Sequence, residues 1–139
     1  MKILGRHLLV EYCECDKGML DNIAMLETHM KDAVRASGAT IVQSVFHRYN
    51  PQVVSGVIVI SESHLSIHTW PEYGYAAVDF FTCGSSVDPY KAFAYMKSAL
   101  SSKESQVTEV NRGMPSDEVD EVIAHKNVTP IYRPAASNM

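Results

Sequence analysis

Apolar residues fall at Met19, Ile23, Leu26, Met30, Ala33 and Val34, a spacing of threes and fours that lines one face of a helix. Asp16 stands ahead of this run as a cap. Ser37-Gly38 follows as a stop, because Gly readily takes the left-handed conformation past a helix end. Elsewhere the period is shorter. Residues 3–13 mix Leu, Val and Tyr with polar residues and predict a first strand. Ile41 to Tyr49 is rich in β-branched and aromatic residues, and Asn50-Pro51 breaks it. Val53 to Ile60 is nearly all β-branched, too short and too Gly-interrupted for a helix, and predicts a buried strand. Ser61-Glu62-Ser63 is a small polar turn. His64 to Trp70 resumes the extended pattern, Pro71 to Gly74 turns, and Tyr75 to Thr82 predicts another strand. Asp88-Pro89 marks a second helix start, with Asp as cap and Pro at the first helical position. Ala92, Phe93, Met96, Ala99 and Leu100 mark its buried face. A short strand over Gln106 to Val110 follows, and from Gly113 the tail is richer in Pro, Asp, Glu, Asn and Ser, with no element assigned.

Two helices and about six strands joined by short connections predict an α+β fold: a two-layer α/β sandwich with a mainly antiparallel sheet and the helices on one face. The uncovered sheet face must be solvated or buried by a partner. The 139 residues fit one domain, 1–139. Composition adds exclusions. A hydrophobic share of 46% and a charged share of 20% are ordinary for a globular chain. A net charge of −4 with no Lys/Arg stripe argues against a nucleic-acid binder. No run approaches the roughly 18 apolar residues of a membrane span, and Arg6 and His7 interrupt the N-terminus before a secretory core could form. Cys13, Cys15 and Cys83 are odd in number and poorly spaced for a disulfide framework. These features predict a cytoplasmic chain with reduced thiols.

Candidate chemistry concentrates between residues 61 and 84, where Ser61, Glu62, Ser63, His64, Ser66, His68, Thr69, Glu72 and Cys83 interrupt apolar strands. On a strand Glu62, His64, Ser66 and His68 share one face, and Ser63, Leu65 and Ile67 the other. Such a polar row is costly unless it meets solvent, a ligand or a partner. A metal site from His64, His68 and Glu72 would need a helix to stack the three, and the β-branched residues and Trp70-Pro71 disfavour one. Cys13-x-Cys15 is too tight for a zinc half-site. A hydrolase reading meets no Gly-x-Ser-x-Gly, and no papain-like pattern surrounds Cys83. From the residues alone, an exposed strand face, a metal site and a nucleophilic site all stay open.

Longer motifs narrow this. Glu62-Ser63-His64-Leu65, Ile67-His68-Thr69-Trp70-Pro71-Glu72 and Thr82-Cys83-Gly84 closely resemble the short bacterial and archaeal S-adenosylmethionine decarboxylase proenzymes. Gly5-Arg6-His7, Ser37-Gly38-Ala39-Thr40, Phe46-His47-Arg48 and Asp88-Pro89 through Ala92-Phe93 resemble the same family. The resemblance runs to about residue 102 and leaves the tail from Ser105 unmatched. It implies self-cleavage at Glu62–Ser63 into a β chain of residues 1–62 and an α chain of residues 63–139. Ser63 would become a covalent pyruvoyl group that forms a Schiff base with the substrate. The resemblance further implies that Ser55 stabilises the oxyanion of processing, that His68 is the processing base, and that Cys83 is the proton donor in decarboxylation. Tyr49, Glu72 and His68 would bind the substrate. A homodimer with shared active sites is implied, formed through the sheet, with no metal and no nucleic-acid or membrane partner.

The implied function is decarboxylation of S-adenosylmethionine to the aminopropyl donor of spermidine biosynthesis. Two alternatives are carried: a pyruvoyl-dependent decarboxylase of ornithine or arginine, and a non-processing S-adenosylmethionine-binding protein. Tyr49 and Glu72 favour the nucleoside substrate. The presence of Ser55, Ser63, His68 and Cys83 together argues against the inert binder.

Overall fold

The computed structural model describes residues 3–49 and 51–113. The break residue Asn50 and the tail after Gly113 lie outside the described residues. Six strands form one sheet: β1 (Gly5–Cys13), β2 (Ile41–Tyr49), β3 (Val53–Ile60), β4 (Ser63–Trp70), β5 (Tyr75–Cys83) and β6 (Glu104–Arg112). Their spatial order is β2-β3-β4-β5-β1-β6, and every neighbouring pair is antiparallel. The helices are α1 (Lys17–Leu20), α2 (Ile23–Ser37) and α3 (Pro89–Ala99). The predicted α+β sandwich is therefore present, with the helices on one face of an antiparallel sheet.

Strand alternation fills the layer between sheet and helices. Leu8, Val10 and Tyr12 of β1, Ile58 of β3, Leu65 and Ile67 of β4, and Val78 and Phe80 of β5 meet Leu26, Met30, Ala33 and Val34 of α2 and Ala92 and Met96 of α3. Tyr12 is fully buried, and its hydroxyl donates to the Phe93 carbonyl at 2.8 Å, so the one polar atom of that large ring is satisfied.

Two local expectations are corrected. The single helix expected from Met19 is two helices. Asp16 caps only α1, accepting from the Met19 N–H, and Asn22 caps α2 by accepting from the Met25 N–H. The break leaves the Leu20 carbonyl without a helical partner, and buried Thr69 of β4 donates its hydroxyl to it at 2.9 Å. The last strand is longer than Gln106–Val110, because its whole length pairs with β1 from Gly5↔Arg112 to Cys13↔Glu104. Other boundaries fall as expected. Gly38 ends α2 at φ 90°, and Asp88 accepts from the Tyr90 N–H ahead of Pro89.

Gly56 of β3 pairs with Phe46 of β2, and the Phe46 ring lies directly over it. A Cβ added at Gly56 would stand 2.2 Å from two ring carbons, so the glycine provides the space in which the ring packs. Gly56→Ala is expected to cost about 1–3 kcal/mol by overpacking, read as a lower urea midpoint, and Phe46→Leu in the same chain should recover part of the loss. An unchanged midpoint for Gly56→Ala alone would contradict this packing.

Candidate active site

Ile60 pairs with Ser63, so Ser61 and Glu62 form a two-residue loop between β3 and β4. Glu62 is left-handed, with φ 70°. Turns give such a position to Gly or Asn, and for a residue with a long side chain the conformation costs on the order of 1 kcal/mol. Glu62 is thus a turn residue, as the predicted Ser61-Glu62-Ser63 turn has it, and stands outside the strand row of His64, Ser66 and His68, while Ser63 already belongs to β4. The Cys83 thiol, at the end of β5, donates to the Glu62 carbonyl oxygen at 3.3 Å. The Ser63 hydroxyl is buried and has no hydrogen-bond partner among the described residues, an uncommon state for a native polar atom. A strained peptide, a donor on its carbonyl and an unengaged hydroxyl on the next residue therefore occupy one end of the sheet.

A second group occupies the other end. Ser55 of β3 pairs with His68 of β4, and the Ser55 hydroxyl lies 2.8 Å from His68 Nδ1. Tyr49 stands at the end of β2, half exposed, its ring edge-on to His47 with centroids 4.4 Å apart. His47, Tyr49, Ser55, Ser66 and His68 border a groove of about 220 Å³, smaller than the roughly 300 Å³ lower bound of ordinary ligand pockets. Glu72 is exposed on the 3-10 turn Pro71–Tyr73 beyond β4.

These two groups do not meet within one chain. Ser63 and His68 are five residues apart on a single strand, roughly 17 Å. Glu62, Ser63 and Cys83 come together, and Tyr49, Ser55 and His68 come together, as two half-sites on the same sheet. The His64–His68–Glu72 metal arrangement is likewise not assembled, since four strand residues separate the two histidines by roughly 13 Å.

Between the half-sites lies a cluster centred on Asp79 of β5. Asp79 Oδ2 is 2.5 Å from His7 Nε2 and 2.9 Å from His64 Nε2, and Ser66 donates its hydroxyl to Oδ1. Arg112 Nη1 lies 2.9 Å from His7 Nδ1. Burial alone would raise the Asp79 pKa, but the hydrogen bonds from His7, Ser66 and His64 outweigh it and hold the carboxyl down to about 2.

A family model described as S-adenosylmethionine decarboxylase matches residues 6–113. Over 113 residues the chain is 63% identical to the S-adenosylmethionine decarboxylase proenzyme of Thermotoga petrophila, covering 81% of this chain and 87% of that protein. The proenzyme of the same name from Fervidobacterium nodosum is also 63% identical over 113 residues, covering 81% of this chain and 82% of that protein. The crystal structure of the adenosylmethionine decarboxylase from Aquifex aeolicus VF5 matches with a TM-score of 0.78 at 32% identity, over 85% of this chain and 98% of that one. The chain belongs to the S-adenosylmethionine decarboxylase family.

In this S-adenosylmethionine decarboxylase family member, sequence reasoning missed His7 and Asp79. A lone acid within the apolar run Val78-Asp79-Phe80-Phe81 was the available signal, because a carboxylate on a packed strand needs partners. The ligand atoms of His7, His64 and Asp79 lie within 4.8 Å of one another, but the surroundings suit hydrogen bonding better than a cation. Arg112 can only donate, so His7 Nδ1 must carry the lone pair and Nε2 the proton. A metal-binding Nε2 needs the reverse, with its other nitrogen donating to an acceptor. No helix among the described residues is long and apolar enough to cross a membrane, and among the described residues Cys13, Cys15 and Cys83 form no disulfide.

The Asp79 carboxyl titrates below its ordinary value of 3.8 in the folded chain. Its stabilisation is therefore complete above about pH 4 and is lost as pH falls through about 2. In a Ser63→Ala background, Asp79→Asn is expected to lower the unfolding free energy by about 2 kcal/mol at neutral pH. Urea titrations should show this gap closing between pH 4 and 2. A gap that does not depend on pH would contradict the carboxylate's role.

Proposed function

We propose that this chain is the proenzyme of a pyruvoyl-dependent S-adenosylmethionine decarboxylase that cuts itself at Glu62–Ser63. The observation that carries this reading is the left-handed Glu62 next to a buried Ser63 hydroxyl without a partner among the described residues, with Cys83 donating to the intervening carbonyl. A polarised, strained peptide beside a free hydroxyl favours intramolecular attack. Ser63 Oγ adds to the Glu62 carbonyl carbon and the peptide C–N bond breaks, leaving an ester and a free amine at Ser63. A base then removes the Ser63 Cα proton, and residues 1–62 leave as a carboxylate. The resulting dehydroalanine tautomerises and takes up water, losing ammonia, to give a pyruvoyl group on residues 63–139.

That group supplies a ketone for the substrate amine and a neighbouring amide carbonyl that accepts electrons as carbon dioxide leaves. Cys83 Sγ, already within 3.3 Å of the Glu62 carbonyl, is placed to return a proton to the carbon that lost it. Tyr49 offers an aromatic face to adenine and to the sulfonium cation, His68 a second stacking surface, and Glu72 a carboxylate for the ribose hydroxyls. The product would be the aminopropyl donor for spermidine synthesis in the cytoplasm. Tyr49 and Glu72 would have little to bind in ornithine or arginine, so those substrates are disfavoured.

His68 as processing base and Ser55 as oxyanion stabiliser lie at the wrong end of their own strand for this chemistry. A two-fold dimer through the open sheet face resolves the mismatch by placing Ser55, His68 and Glu72 of one protomer against Ser63 and Cys83 of its partner. Exposed Val45, Tyr49 and Val59 on that face would gain burial, and the small groove would gain a second wall.

Intact mass spectrometry of purified protein should show two chains divided at Glu62/Ser63, the larger with a blocked N-terminus, and a single uncut chain for Ser63→Ala. A parent chain that never divides would remove the self-cleavage reading. Carbon dioxide release should be seen with S-adenosylmethionine and not with ornithine or arginine. Mixing Ser63→Ala and His68→Ala chains should partly restore activity, and no recovery at any mixing ratio would count against shared sites.

A further inference from the structure

The His7–Asp79–His64 cluster has no part in the chemistry above, yet it joins the strands that carry that chemistry. His64 directly follows Ser63, and Cys83 lies four residues beyond Asp79 on the same face of β5. Gly5 of β1 pairs with Cys83. One carboxylate thus bridges β4, β5 and β1 beside the Glu62–Ser63 peptide. Phe81 covers the cluster: its ring centroid lies 5.0 Å from that of His7 and 5.8 Å from that of His64. The Arg112 guanidinium stands 5.1 Å from the Phe81 centroid on the same ring, and a Cβ on Gly5 would come within 2.6 Å of that ring. The hydrogen-bond directions are determined. Arg112 donates to His7 Nδ1, His7 donates from Nε2 to Asp79, and Asp79 is left with acceptor capacity that the His64 Nε2–H fills.

We propose that Asp79 is a positioning residue for self-cleavage that acts through the His64 ring. This rests on the reading of Glu62–Ser63 as the cleaved bond. Glu62 holds an unfavourable left-handed conformation, and β4 begins at the next residue. The relaxation open to this turn is fraying of the first residues of β4, which would carry Ser63 Oγ away from the Glu62 carbonyl carbon. The bond from His64 Nε2 to Asp79 anchors the second residue of β4 to the middle of β5. The strained peptide is thereby kept in the geometry that reacts, and a displacement of about 1 Å in such a geometry can cost on the order of a hundredfold in rate.

The test compares cleavage rates of freshly translated or refolded full chains carrying His64→Leu, His64→Gln, Asp79→Ala, or His64→Leu with Asp79→Ala, with melting temperatures of each in a Ser63→Ala background. Gln keeps an N–H donor where His64 has Nε2–H. His64→Leu and Asp79→Ala should each slow cleavage at least about tenfold, and His64→Gln should stay within about threefold of the parent. The double variant should be no slower than the slower single one, since both changes remove the shared His64–Asp79 contact. Equal cleavage by His64→Leu and the parent, equal loss in His64→Gln and His64→Leu, multiplying effects, or rates that merely follow melting temperature would each overturn the proposal. A parent that stays whole would instead remove the Glu62–Ser63 reading, and this inference with it. Should a variant not fold, nitrogen-15 histidine spectra of Ser63→Ala remain decisive. They should show His7 and His64 as Nε2–H tautomers, and a His64 ring protonated on Nδ1 alone would refute the arrangement.

Discussion

A strand residue can face only one side of its sheet, and the arrangement of this molecule depends on how β4 meets that constraint. Leu65, Ile67 and Thr69 turn inward and are fully buried, which commits His64, Ser66 and His68 to the opposite face. A slip of one residue in register would bury two imidazoles under the helices and expose the core. The cost of that slip holds β4 in place, and β4 in turn places the Ser61–Glu62 loop at one end of the sheet and the Ser55–His68 pair at the other. Thr69 extends the same logic: it is polar on the apolar side, and it is tolerated because its hydroxyl satisfies the carbonyl left open between α1 and α2.

The polar face of the sheet also explains why one chain holds two partial sites. Antiparallel pairing of β3, β4 and β5 brings Cys83 to Glu62 and Ser55 to His68, but it cannot shorten the strand between them. Under the proposed mechanism, chemistry that needs both groups would draw on a second molecule lying across the same face, which the alternation that builds the core leaves uncovered by the helices.

Much of this was legible in the chain. Periodicity located the strands because the two-residue and three-to-four-residue spacings are distinct, and Asp88-Pro89 and Gly38 marked helix ends through local backbone chemistry. The division of the first helix was not legible: Asn22 sits within an unbroken helical spacing, and the Leu20 carbonyl opened by the break is satisfied by Thr69, which is distant in sequence. The half-site residues were recognised through the motifs around Glu62-Ser63 and Thr82-Cys83-Gly84, since spacing alone could not separate a scissile turn from an exposed strand. Asp79 escaped because its partner His7, and the Arg112 that donates to His7, come from opposite ends of the described chain, and only the placement of β1 between β5 and β6 brings them together.

That placement bears on what a cut at Glu62–Ser63 would leave behind. The first fragment would own β1, β2 and β3 and the second β4, β5 and β6, yet β1 lies between β5 and β6, and β3 remains paired with β4. The fragments would be interleaved, so neither could depart without tearing three seams of hydrogen bonds, β3 to β4, β5 to β1 and β1 to β6. The sheet would survive the loss of its covalent link, but its reassembly would not. Before the cut, refolding is a first-order search by a single chain. Afterwards it requires an encounter between two polypeptides, so a molecule unfolded after maturation would regain its form at a rate that depends on dilution.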